Sequence, residues 1–278
     1  MSAIALALGC AFAWGCADFL GGFLTKRVPV AAVTVWSQAA GFAALLVWLA
    51  IDGFHVGSEA FALGVLGGFG GGIGLAAYYK ALAIGTMSIV APIAACGAVI
   101  PFGISLITGE RPSELALAGA LIALTGAVLA SVEEHRSEDE GRRKGVLLGV
   151  VAAVALGFFI YFLGLGGQHG TPLSALFGAR VGSLSVLLVF ALVVRTSLRI
   201  ARRDVGAAAM VGLIDTSANA LFVLASTRGY LSIVSVLASL YPVVPLVAGH
   251  VFLRERISWP QRAGVALALG GVAVVAYA

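Results

Sequence analysis

Apolar residues run along the chain in ten stretches of membrane-crossing length. They lie at roughly Ala3–Thr25, Val30–Ile51, Ala60–Gly85, Met87–Thr108, Ser113–Ser131, Gly145–Gly167, Thr171–Val194, Val205–Ser226, Tyr230–Leu253 and Trp259–Ala278. About 20 apolar residues cross the hydrocarbon core, and in lipid a segment must satisfy its own backbone hydrogen bonds, so each stretch predicts a transmembrane helix. The breaks carry helix-stop chemistry: KRVP after the first stretch, IDGFHVGSE after the second, GERPS after the fourth, QHGTP after the sixth. One break is longer and strongly polar, EEHRSEDEGRRK at Glu133–Lys144. It divides the chain into a first unit at 1–132, a linker at 133–144 and a second unit at 145–278. The expected fold is all-α integral membrane, ten transmembrane helices in two sets of five.

Composition sharpens this picture. The 278 residues are 60% hydrophobic and 11% charged, with mean hydropathy +1.05. A soluble chain carries about 25% charged residues, so these charges could not cover a water-facing surface. The 37 glycines suit membrane helices, whose backbones approach closely where side chains are small. Cys10, Cys16 and Cys96 all fall inside apolar stretches and form neither a disulfide framework nor a metal spacing. No Lys or Arg precedes Lys26, so the basic start of a secretory signal is missing.

The two halves resemble each other. MSIVAPIAACGAVIP (Met87–Pro101) aligns with LSIVSVLASLYPVVP (Leu231–Pro245), and Pro101 falls on Pro245. One residue of slippage later Glu110-Arg111 meets Glu255-Arg256, then Gly119 meets Gly264 and Gly126 meets Gly271. Two copies of an odd number of spans must lie in opposite orientations. Such inverted repeats recur in secondary transporters, where exchanging the conformations of the halves alternates access between the two sides.

Across essentially its whole length the chain resembles the drug/metabolite transporter superfamily, in particular the ten-span EamA family. The resemblance is carried by WGCADFLGG (Trp14–Gly22), ALAIGTMSIVAPI (Ala81–Ile93), TGERPS (Thr108–Ser113) and ASTRGYLSIVSVLASLYPVVP (Ala225–Pro245) followed by RERIS (Arg254–Ser258). It implies a gradient-driven secondary transporter in the cell membrane, an exporter of small metabolites such as amino acids or of drug-like compounds, working by alternating access. An importer or exchanger on the same scaffold is the alternative. The implied partners are a small-molecule solute, protons as a candidate coupling ion, and the lipid bilayer, with no nucleic acid; monomer and homodimer both stay open.

Ionisable residues inside a membrane are expensive and need a reason. The candidates inside the membrane are few, Asp18, Lys80, Arg180, Asp215 and His250, accompanied by the neutral polar Gln38 and Asn219. At a rise of about 1.5 Å per residue, Asp18 and Lys80 lie at similar depth, roughly 8–10 Å from one surface. Arg180 and Asp215 both fall near mid-membrane. Depth thus permits two ion pairs, Asp18 with Lys80 and Arg180 with Asp215. Such pairs can simply hold helices together, or a carboxylate can face a wet cavity and couple a proton to solute movement. His250, near a stretch end, is expected at the interface. Trp14, Tyr78, Asn219 and Tyr241 are candidate solute contacts; Tyr241 precedes Pro242 and Pro245, which can open the helix. The implied cavity is lined mainly by spans 3, 4, 8 and 9, with help from 1 and 6.

The glycine run GVLGGFGGGIG (Gly64–Gly74) is no phosphate loop: it lies within an apolar stretch and no GK[ST] follows. Pairs such as Gly67/Gly71 and Gly68/Gly72 predict close helix packing. An intramembrane enzyme would need paired carboxylates, a His/Asp cluster or an HExxH metal pattern. His55, His135, His169 and His250 are scattered instead, so neither enzyme, cofactor nor metal site is expected. Loops after odd-numbered stretches carry 13 Lys and Arg (Lys26, Arg27, Arg136, Arg142, Arg143, Lys144, Arg195, Arg199, Arg202, Arg203, Arg254, Arg256, Arg262), against 2 on the other side (Arg111, Arg228). Basic residues favour the cytoplasmic side, which places both termini outside. The resemblance implies termini inside, so the two indications disagree.

Overall fold

A computed structural model describes residues 2–25, 27–84, 93–94, 96–130, 140–253 and 258–278. Among them the regular structure is entirely helical. The helices are α1 (Ala3–Thr25), α2 (Val30–Ile51), α3 (Ser58–Ile84), α4 (Val99–Ile107, entered through a 3-10 turn at Cys96–Ala98), α5 (Glu114–Ala130) and α6 (Glu140–Gln168), then α7 (Pro172–Val194), α8 (Arg202–Ser226), α9 (Leu231–Ala238), α10 (Val243–Leu253) and α11 (Trp259–Tyr277). Seven of these, α1, α2, α3, α6, α7, α8 and α11, are long and apolar enough to cross a bilayer. α5 is 17 residues, just short of that length. The stretch expected at Met87–Thr108 is described only in its second half. The one at Tyr230–Leu253 is two helices.

That second break has a local cause. Pro242 has no N–H to give Ala238, and Tyr241 N donates to the Ala238 carbonyl instead at 3.4 Å. The chain tightens into i→i+3 bonding, Val243 N to Leu240 O at 3.0 Å and Val244 N to Tyr241 O at 3.1 Å, before helix resumes. Of the polar linker, residues 133–139 lie outside the described set, as do 131 and 132 before it, and Glu140 to Lys144 form the first turns of α6.

Glycines set the packing. α3 lies between α6 and α7. Gly64, Gly68 and Gly72 face the α7 backbone, while Gly67, Gly70 and Gly74 face α6; a methyl on Gly70 would sit 2.6 Å from the Ala155 carbonyl oxygen. The 64–74 run therefore works as two stripes that admit two helices at once. α1 packs on α8 and α9, α2 on α8 and α7, and α4 on α9. α5 and α11 pack closely on each other, with Gly119 against Val275, Gly126 against Ala268, Gly264 against Ala130 and Gly271 against Ala123, and α5 also meets α9. The buried core is correspondingly rich in Ala, with Phe222, Leu163 and Leu237 among its largest fully buried members.

The loop after α4 ties the halves together. Gly109, at φ 117°, adopts a conformation that favours glycine and ends the helix. The next residue, Glu110, accepts from Leu231 N (2.7 Å), Ser232 N (2.9 Å) and Ser232 Oγ (2.6 Å). Its carboxylate thus caps the N-terminus of α9, where free amides and the helix dipole favour negative charge.

Candidate functional site

A cavity of about 110 Å³ lies among the helices. Each wall element contributes one helical face. α1 supplies Trp14 and Asp18, four residues apart; α3 supplies Gly71, Leu75 and Tyr78; α7 supplies Leu176, Ala179, Arg180 and Ser183; α8 supplies Asp215 and Asn219. Phe159 and its neighbours on α6, Gly97 and Ala98 of the 3-10 turn, Gln38 of α2, and Ser239 and Tyr241 of the α9–α10 break complete it.

Arg180 organises the polar wall. It is 6% exposed and pairs with Asp215 Oδ2 at 2.6 Å through Nη2, which also donates to Thr216 Oγ1 at 2.8 Å. Its Nη1 donates to Gln38 Oε1, and Ser183 Oγ donates to the same oxygen at 3.0 Å. Gly41 makes room for this cluster, since a methyl there would come within 3.3 Å of the guanidinium carbon. Asp215 is 26% exposed, toward the cavity it lines, and its Oδ2 also accepts from Asn219 Nδ2 at 3.2 Å. That bond fixes the amide orientation and leaves Asn219 Oδ1 buried without a partner.

The aromatic wall is held by ring contacts. Trp14 stacks on Phe222 at 5.8 Å and meets Tyr241 edge-on at 6.3 Å, while Tyr78 leans on Tyr79 at 5.7 Å. Gly15 lets α1 reach the α9–α10 break; a methyl there would sit 2.6 Å from the Tyr241 carbonyl oxygen.

The EamA-like transporter family matches residues 1–132 and 143–277. The chain belongs to this family. It is therefore a multi-pass integral membrane protein of a transporter family. No curated protein matches it. A solved crystal structure, titled only as that of a protein, superposes with TM-score 0.80 at 18% identity, covering 99% of this chain and 96% of that one. That likeness carries the fold.

Of the residues singled out from sequence, Trp14, Asp18, Tyr78, Arg180, Asp215, Asn219 and Tyr241 share the cavity wall. Lys80 does not. It is exposed, and among the described residues no ion pair joins it to Asp18. Two helical steps from Tyr78 rotate a side chain by about 200°, so Lys80 points away from the wall that Tyr78 occupies. Equal depth did not mean equal facing. His250 lies exposed in the last turn of α10. Gln38, Ser183 and Thr216 belong to the site although sequence reasoning gave them no place in it. Gln38 carried a signal, being an amide inside an apolar stretch. The two hydroxyls carried none, because Ser and Thr are common in membrane helices and can bond to their own backbone. Spans 2 and 7 thus line the cavity alongside those expected.

Proposed function

We propose that the protein is a gradient-driven secondary transporter with ten spans in two inverted five-helix halves, exporting small metabolites such as amino acids or drug-like compounds by alternating access. The observation that carries this reading is the central cavity, walled by both halves and bearing a charge cluster inside an otherwise apolar protein. The packing supports the repeat. With Gly119 matched to Gly264, Gly126 to Gly271, Ala123 to Ala268 and Ala130 to Val275, exchanging counterparts turns the Gly119–Val275 contact into Gly264–Ala130, and Gly126–Ala268 into Gly271–Ala123. The pairing of α3 with α6 likewise becomes that of α8 with α1. Contacts that exchange in this way relate the two halves by a pseudo-two-fold axis, so each half is able to take up the other's conformation, which alternating access requires.

Asp18 and Asp215 are the coupling carboxylates in this reading, able to exchange a proton with water in the cavity. The 13-to-2 distribution of basic residues supports cytoplasmic loops after the odd-numbered spans and external termini. Reporter fusions at Ala278, one active only in the cytoplasm and one only outside, test the orientation; a cytoplasmic signal reverses it. The transport reading is tested in proteoliposomes loaded with a metabolite mixture, with and without a pH gradient. Expected is uphill movement of a subset of solutes under the gradient, lost in Asp18→Asn or Asp215→Asn while downhill exchange persists. Uphill flux with unchanged pH dependence in the double Asn variant refutes the proton role, and absence of flux for every solute refutes transport.

A further inference from the structure

We infer that the cavity selects a monovalent organic ammonium with an aromatic body, in preference to a zwitterion or an anion. This narrows the solute of the transporter reading above and rests on it.

Charge is the first ground. Among the described residues the ionisable carboxylates and cations of the wall are Asp18, Arg180 and Asp215. Arg180 is matched by Asp215 at 2.6 Å, and Gln38 and Thr216 take further donors of the same guanidinium. Asp18, half-buried on the same wall, has no cationic partner among the described residues. With both carboxylates ionised the wall carries one uncompensated negative charge. Burying a solute there is favourable when the solute supplies the missing positive charge, and a solute carboxylate would meet repulsion.

Hydrogen bonding is the second and independent ground. Asn219 is 4% exposed, and its Oδ1 has no partner. The bond from its Nδ2 to Asp215 excludes the flipped amide, so the unpaired group at this position is an acceptor rather than a donor. A buried acceptor left unmade is costly, and a donor from the solute satisfies it. An ammonium supplies three donors and no acceptor, which suits a wall bearing a carboxylate with no cationic partner and a buried amide oxygen with no donor.

Shape is the third. Trp14, Tyr78, Tyr241 and Phe159 give the wall aromatic faces and edges, which hold both an apolar ring and a cation.

The test compares three molecules of one ring system, 2-phenylethylammonium, L-phenylalanine and 3-phenylpropionate, by equilibrium dialysis against the purified full-length protein at pH 8. Expected is binding of 2-phenylethylammonium at least about tenfold tighter than either carboxylate-bearing analogue, the size of one charge-assisted hydrogen bond. Asp18→Asn should weaken the ammonium by about tenfold to a hundredfold, and Asn219→Leu by about threefold to tenfold. Equal or tighter binding of L-phenylalanine or 3-phenylpropionate overturns the inference, as does no binding of 2-phenylethylammonium at millimolar concentration. The wild-type comparison decides even if a variant does not fold. Proteoliposome flux separates the two levels: flux of an anionic or zwitterionic solute sinks the ammonium preference and keeps transport, whereas ammonium-selective binding without flux of any solute does the reverse.

Discussion

Neutralising the two sides of the Arg180–Asp215 pair in turn tests whether the central cluster is as tightly built as its geometry implies. The partners are not equally placed: the arginine is 6% exposed and the aspartate 26%, toward the cavity. Asp215→Asn leaves a guanidinium in a nearly dry site with only the neutral acceptors Gln38 and Thr216. Removing one partner of a fully buried pair costs about 3–5 kcal/mol; with part of Asp215 open to the cavity, about 2–4 kcal/mol is expected. Arg180→Gln leaves a carboxylate that keeps the Asn219 donor and reaches the cavity, so about 1–3 kcal/mol is expected. The double variant removes both charges and should recover about 1–3 kcal/mol relative to the sum of the singles. At roughly 2–4 °C per kcal/mol, Asp215→Asn should melt about 5–10 °C below the wild type. Thermal unfolding in one mild detergent at pH 7, followed by fluorescence-detected size exclusion, reads all four proteins. Additivity of the two singles within about 0.5 kcal/mol, or a larger loss for Arg180→Gln than for Asp215→Asn, refutes the reasoning.

Three further outcomes follow from the packing and the cavity. With Cys10, Cys16 and Cys96 replaced, cysteine at Tyr78, Asn219 or Tyr241 should react with a small aqueous thiol reagent and be protected by a transported solute; inertness at all three sinks the assignment of the wall. Gly126→Leu should destabilise the protein by at least about 1–3 kcal/mol, because even a methyl there meets Ala268 Cα and the Gly264 carbonyl oxygen at 2.7 Å; it should leave solute affinity unchanged, since neither α5 nor α11 lines the cavity. Wild-type melting of that variant contradicts the close α5–α11 contact. Glu110→Gln should lower stability by about 1–2 kcal/mol through the lost charge at the α9 N-terminus, and Glu110→Asp should restore less than full stability because its shorter arm cannot hold all three donors; unchanged melting of both removes the cap from the account.

Hydrophobic length alone determined where the long helices lie. α1 and α2 span the stretches expected, α3, α7, α8 and α11 shift by a few residues at most, and α6 covers its stretch while starting earlier, at Glu140, because in lipid a long apolar segment has no alternative to satisfying its own backbone. Proline chemistry likewise marked the α9–α10 break. Rotation about each helix axis was a different matter. Membrane helices are apolar on the lipid face and on the buried face alike, so no polar stripe says which side meets the protein. Depth, a one-dimensional quantity, put Lys80 beside Asp18; only the packing of α3 against α6 and α7 turned it outward. The same packing brought Gln38, Ser183 and Thr216 around Arg180 and carried Glu110 to the amides of Leu231 and Ser232, across 121 residues of sequence. It also left the Asn219 carbonyl oxygen without a partner. Such pairings join helices far apart in the chain, and the positions of neighbouring backbones, set by glycine contacts between them, decided which polar side chains meet.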